Sequence, residues 1–155
     1  MRFTIVDTSV LCELLEVPGL CSRPKEVQEE FRQRLRSKER LVLPVTAVIE
    51  TGNHIAQVKS GDKRSAVARF ASLLEETLRG EGPFVLTEAS WDTAFVAELF
   101  RGDSTGQSLS EHALNAGLGA GDLAILVERD RLLASSAYTE AFVWSLDRRL
   151  LAFNR

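Results

Sequence analysis

The stretch FTIVDTSVLCELLE, residues 3–16, decides the fold. Phe3 to Val6 is a short apolar, β-branched run that stops at Asp7, and Ser9 to Glu16 is compatible with a helix. No hairpin signal separates the two, so the chain opens as strand, turn, helix. The same unit recurs downstream. Pro24 sits where a first helical turn tolerates it and opens Lys25 to Arg40, with Val27, Phe31 and Leu35 at helical spacing. Leu41 to Leu43 reads as a second strand closed by Pro44, and Thr46 as the N-cap of a helix through about Lys59. Ala66 to Leu78 repeats the helical period after Gly61 and Asp62. Phe84 to Leu86 is a third strand, and Thr87 or Ser90 caps a helix reaching about Phe100. Gly102 to Gly121 reads as a loop with one helical turn. Asp122 to Ala134 is helical, Ala141 to Leu146 is a fourth strand, and Asp147 to Ala152 starts a short terminal helix. Near-continuous apolar strands alternating with helices imply a parallel sheet covered on both faces: a three-layer α/β/α sandwich with four or five mainly parallel strands.

Length and composition set the class. At 155 residues the chain suits one domain. With 45% apolar and 26% charged residues it lies far from the signature of disorder. Its longest apolar runs fall well short of the roughly 18 residues of a membrane span. Arg2 precedes only a short apolar stretch before Asp7, which is no secretory signal, so the expected compartment is the cytoplasm. Cys12 and Cys21 have neither zinc nor redox spacing, and a disulfide is not expected. Nineteen basic against 22 acidic side chains leave a net charge of −3, so nucleic-acid binding would need a local patch.

In such a sheet, ligands bind outside the carboxyl ends of the strands. Asp7 follows the first strand and Asp147 the last. Glu50 lies about one turn into the helix after the second strand, and Asp122 opens a late helix after Gly119-Ala120-Gly121. Taken singly, an Asp at such a position is ordinarily a cap that accepts orphan backbone N–H groups. Glu50 is harder to explain that way, because Val48, Ile49 and Ile55 suggest a helix packed into the core, where an unpaired carboxylate is costly. As a set, four acids from four segments suit Mg²⁺ or Mn²⁺, which prefer oxygen ligands and assist phosphodiester hydrolysis.

Asp7-Thr8-Ser9-Val10-Leu11 after the first strand, Glu50 after the second, Gly121-Asp122-Leu123-Ala124-Ile125 opening a late helix, and Ser145-Leu146-Asp147 before Leu150 resemble the PIN domain. The resemblance runs in order over nearly the whole chain. Its motifs are short, so order and structural context carry the specificity. It implies an α/β/α metal-dependent endoribonuclease in which Asp7, Glu50, Asp122 and Asp147 hold Mg²⁺ or Mn²⁺. Ser9 and Ser145 would orient carboxylates or a water. It also implies a homodimer and, if the protein is the toxin of a toxin–antitoxin pair, a cognate antitoxin that blocks the site.

Other residues carry weaker signals. Arg148 and Arg149 follow Asp147 and suit phosphate contacts, though a solvated turn or a salt bridge is the ordinary outcome. His54 shares a helical face with Glu50, and a partly buried, hydrogen-bonded ring is its ordinary state. His112 carries less. Between Arg23 and Arg40, seven basic residues face four acidic ones, ordinarily a solvated face and here also the best nucleic-acid patch. Trp91, Phe95 and Phe100 read as core or dimer-interface residues, and Asp103, Glu111, Glu128 and Asp130 as solvated acids. The rival from another class is a catalytically silent PIN-like module that binds RNA or a protein, its acids acting as caps. A phosphoryl-accepting receiver-like domain also uses acids at strand ends, but it needs a Lys after a late strand, and none follows Leu146.

Overall fold

The computed structural model of the protein describes residues 2–88, 90–135 and 139–154. Four strands, β1 (Arg2–Val6), β2 (Arg40–Leu43), β3 (Phe84–Leu86) and β4 (Glu140–Trp144), form a sheet in the order β3-β2-β1-β4, with every pairing parallel. The described residues form eight helices. These are α1 (Thr8–Leu14), α2 (Pro24–Arg36), α3 (Val45–Ala56), α4 (Lys63–Arg79), α5 (Thr93–Arg101), α6 (Leu109–Leu114), α7 (Ala120–Ala134) and α8 (Arg148–Leu151).

The pleat sends alternate side chains to opposite faces, and each face has its own helical cover. Val6, Leu41, Leu43, Phe84 and Trp144 pack with Val10 and Leu11 of α1, Val27 of α2, Ile55 of α3 and Ala66 of α4. Phe3, Ile5, Val42, Ala141 and Val143 pack with Leu123, Ile125 and Leu126 of α7 and Leu150 of α8. This is the three-layer α/β/α arrangement. Ile5, Leu41, Leu43 and Leu126 are fully buried, each stabilising the fold by about 1.5–3 kcal/mol relative to exposure. Thr4, the buried polar residue of β1, donates to Glu39 Oε2 at 2.7 Å. No helix among the described residues is long and apolar enough to cross a membrane.

Several boundaries differ from the sequence reading. α2 ends at Arg36, not Arg40, because Lys38 turns left-handed (φ 55°) and Arg40 joins the sheet opposite Phe3. Pro44, not Thr46, caps α3, leaving the Thr46 hydroxyl buried without a partner among the described residues. α5 is capped by Asp92, whose Oδ1 accepts the Phe95 N–H at 2.9 Å, rather than by Thr87 or Ser90. β4 stops at Trp144 because its partner β1 stops at Val6, so Ser145 and Leu146 separate it from Asp147.

The Gly102 to Gly121 region holds a helix, α6, closed by a reciprocal capping box between Ser108 and Glu111. His112 pins it. The ring is buried, its Nδ1 accepts the Leu118 N–H at 3.1 Å, and Nε2 lies 2.9 Å from Thr105 Oγ1. With Nδ1 accepting, Nε2 carries the proton and donates to Thr105.

Candidate functional site

The strand order makes a switch point at β1. The chain leaves β1 for β2 on one side and returns to β1 through β4 on the other, so connections diverge above the carboxyl ends of this pair. A cleft of about 450 Å³ reaches this edge, lined by Asp7, Thr8, Ser9, Cys12, Glu13, Gly19, Leu20, Ser22, Glu50, His54, Asp122, Leu146 and Asp147. All four acids from the separate segments border it.

Asp7 is the N-cap of α1, yet its side chain makes no capping bond. Its Oδ2 accepts from Ser9 Oγ and from Ser145 Oγ, each at 2.7 Å. Each hydroxyl has one proton, spent on Asp7, so the 3.4 Å contact between the two serines is proximity rather than a bond. Their lone pairs are used as well: Ser9 Oγ accepts the Leu146 N–H at 3.0 Å and Ser145 Oγ the Asp147 N–H at 2.9 Å. One buried carboxylate thus joins the ends of β1 and β4.

Glu50 is half-buried rather than sunk in the core, because Ile49 beside it faces outward at 51% exposure. Its Oε2 accepts from Thr8 Oγ1 at 2.7 Å. Gly121 leaves room for it: a Cβ at 121 would stand 1.8 Å from Glu50 Oε1. Asp122, at the third position of α7, reaches back to the Gly119 N–H at 3.3 Å. Burial first, and then the charge of Asp7 with smaller contributions from Asp147 and Glu50, push its carboxyl up to about 6 despite that hydrogen bond. Asp147 caps α8, its Oδ1 accepting the Arg149 N–H at 2.9 Å. The Arg149 guanidinium, 3.0 Å away, holds it below the usual carboxylate range. Arg148, the other arginine of this turn, is exposed and forms no ion pair among the described residues.

Sequence reasoning missed Glu13. It is buried at 3% exposure, and its carboxylate accepts the backbone N–H groups of Ser22 and Arg23, fastening the loop that forms the far wall. The available signal was a carboxylate on a helix whose other residues are mostly apolar. Thr8 and Cys12 were also missed. Burial raises the Cys12 thiol to about 11, so it stays protonated. His54 lines the cleft and is exposed, not the partly buried ring its spacing suggested.

Two other expectations meet the structure differently, and the solvated state expected of Glu128 is overturned. Part of the basic stretch is neutralised internally: of its seven basic residues, Arg32 pairs with Glu29, and Arg34 pairs with Glu30 and Glu39 while lying over the Trp144 ring. Glu128 is buried at 3% exposure, with both carboxylate oxygens unpartnered among the described residues. Phe95 is core, whereas Trp91 and Phe100 are more than half exposed.

The acids Asp7, Glu50, Asp122 and Asp147 bring anionic oxygen donors to the cleft, a donor type that suits a hard divalent cation. The glycine at 121 preserves a recess that any side chain would fill. Among the described residues no three acidic, histidine or cysteine side chains stand together as an ion's ligands. No family model, no curated protein and no solved structure matches the chain.

Proposed function

We propose that the protein is a PIN-type, Mg²⁺- or Mn²⁺-dependent endoribonuclease. The observation that carries this reading is four carboxylates, delivered by four separate segments, bordering one cleft at the sheet's switch point. The raised carboxyl of Asp122 supports it: the group is penalised first by burial and then by the like charge of Asp7, a penalty a cation would relieve. Asp7, Glu50, Asp122 and Asp147 would hold the ion. Held by these residues, Mg²⁺ or Mn²⁺ would supply Lewis acidity for the hydrolysis of a phosphodiester.

The chain's own residues supply positioning. Ser9 and Ser145 fix the Asp7 carboxylate in one orientation, and because they also accept the Leu146 and Asp147 N–H groups, they tie the two strand ends together. Thr8 does the same for Glu50. Side chains so locked keep their geometry when a substrate arrives. Leu20 and His54, which also line the cleft, are where RNA would rest.

The second reading is a silent RNA- or protein-binding module. It is favoured by Asp147 and Asp122 each making a cap-type bond. Purified protein incubated with single-stranded RNA separates the two. Cleavage with Mn²⁺, loss in chelator, and an Asp7→Asn drop beyond the roughly 10–100-fold that losing a ligand's supporting partner costs support the nuclease. Turnover in chelator, or a fully active Asp7→Asn protein, refutes it. On this reading the biological setting we propose is a homodimeric toxin with a cognate antitoxin. Growth arrest on induced expression, relieved by Asp7→Asn, tests the toxin role.

A further inference from the structure

Arg149 spans the rim of the cleft. Its Nη2 donates to Asp147 Oδ2 at 3.0 Å and its Nε to Oδ1 at 3.3 Å, a two-pronged grip that occupies both carboxylate oxygens. Its Nη1 reaches the carbonyls of Gly117 at 3.2 Å and Ala116 at 3.4 Å. The guanidinium therefore ties the turn that carries Asp147 to the loop that leads into Asp122. With side-chain exposures of 61% for Arg149 and 27% for Asp147, the pair lies in water and is exchangeable rather than locked in the core.

We propose that Arg149 is an internal cation occupying Asp147 in place of a divalent ion, and that ion binding hands its guanidinium to a phosphate of the RNA. This rests on the nuclease reading above. A carboxylate whose two oxygens and charge are engaged by a guanidinium is a poorer ligand for an ion, and a divalent cation arriving at Asp147 competes with that grip for the same negative charge. Arg is always charged and has donors only, so the released group needs a new anion. A phosphate offers the same two-pronged geometry, and the substrate is the source that brings one to this rim. Ion and RNA then promote each other's binding, because coupling between two ligands is reciprocal.

Arg148 provides the control, carrying the same charge one residue away without the grip. Mn²⁺ is titrated calorimetrically into wild type, Arg149→Met, Arg149→Lys, Arg148→Met and Asp122→Asn, with and without a phosphorothioate oligoribonucleotide. Without RNA, Arg149→Met should bind Mn²⁺ about two- to fivefold more tightly than wild type, the range expected of an exposed ion pair. Arg149→Lys should fall between the two, and Arg148→Met should stay near wild type. The oligonucleotide should raise Mn²⁺ affinity in wild type and do so less in Arg149→Met. Equal tightening in Arg148→Met and Arg149→Met, or none in Arg149→Met while Asp122→Asn still weakens binding, overturns the latch and leaves the nuclease reading standing. No Mn²⁺ binding by any of the proteins overturns both.

Discussion

Asp7 and Glu128 are both buried carboxylates, and their surroundings treat them oppositely. Asp7 takes two hydroxyl donors on one oxygen, whereas neither Glu128 oxygen has a partner within hydrogen-bond distance among the described residues, and burial, outweighing the lowering by the Thr87 hydroxyl, pushes it up to about 7. Between about 4.5 and 7 the folded protein therefore keeps a proton that the unfolded chain releases, and stability falls as pH rises through that window. Above it the cost is constant, at most about 3 kcal/mol from 1.36 kcal/mol per pKa unit. Glu128→Gln should be more stable than wild type at pH 8 and indistinguishable from it below pH 4.5, as urea unfolding at the two values will read. A variant no more stable at pH 8 would mean that the carboxylate is not desolvated. Asp122 follows the same sign at about 6, with like charge added to burial. Asp122→Asn should hold or raise apo stability at pH 8 while reducing the stabilisation that Mn²⁺ confers by binding only the folded state. A destabilised Asp122→Asn protein alongside a metal-indifferent wild type would make Asp122 a plain helix cap.

At the scale of elements, the opening turn of α7 is where backbone and site chemistry meet. Gly121 precedes Asp122, and a Cβ there would lie 1.8 Å from Glu50 Oε1 and 3.3 Å from Thr46 Cγ2. Glu50's carboxylate, at the end of a flexible side chain, would have to leave the recess. In a helix, Ala is favoured over Gly by about 0.5–1 kcal/mol, which offsets part of that rearrangement. Gly121→Ala should therefore keep its thermal stability within about 1 kcal/mol of wild type and lose Mn²⁺ binding by about tenfold or more, the range seen when a ligand's support is removed. Unchanged Mn²⁺ affinity in a folded Gly121→Ala protein would take Glu50 out of the ion site. Upstream of this turn, α6 is held by its capping box and by His112, whose bond to the Leu118 N–H anchors the segment just before Gly119.

The whole molecule combines these terms in its pH profile. Asp122 and Glu128 penalise the folded state as pH rises from about 4 to 7. Asp147, Asp62, Asp92 and Asp103 are all held below the ordinary carboxylate value, and their stabilisation is lost only as pH falls beneath it. The apo protein should be most stable in mildly acidic solution, between about pH 4 and 6, and less stable at pH 8. The Asp122→Asn/Glu128→Gln double variant should flatten the alkaline side, with nearly additive effects if the two sites are independent. Urea midpoints across pH 4–8 check both points. A wild type more stable at pH 8 than at pH 5 would contradict the assigned directions.

The parallel sheet was legible in the sequence because each strand is a short apolar run stopped by Asp, Pro or Thr and followed by helix, a pattern that only a sheet covered on both faces satisfies. The same local order put Asp7 at the end of β1 and Asp122 and Glu50 in helices that start at that edge. What surrounds each side chain was decided only by tertiary packing. α7 packs against β4, α3 and α5 together, so every residue from Leu123 to Arg129 is buried and a helical period reveals no solvent face. Glu128 was hidden for that reason. Arg149 rather than Arg148 meets Asp147 because α8 turns one of them back onto its own cap and toward the carbonyls of Ala116 and Gly117, a loop distant in sequence. Periodicity tells which side of an element is apolar. Which neighbour covers it, and therefore whether a charge is paired, exposed or stranded, depends on contacts between segments far apart in the chain.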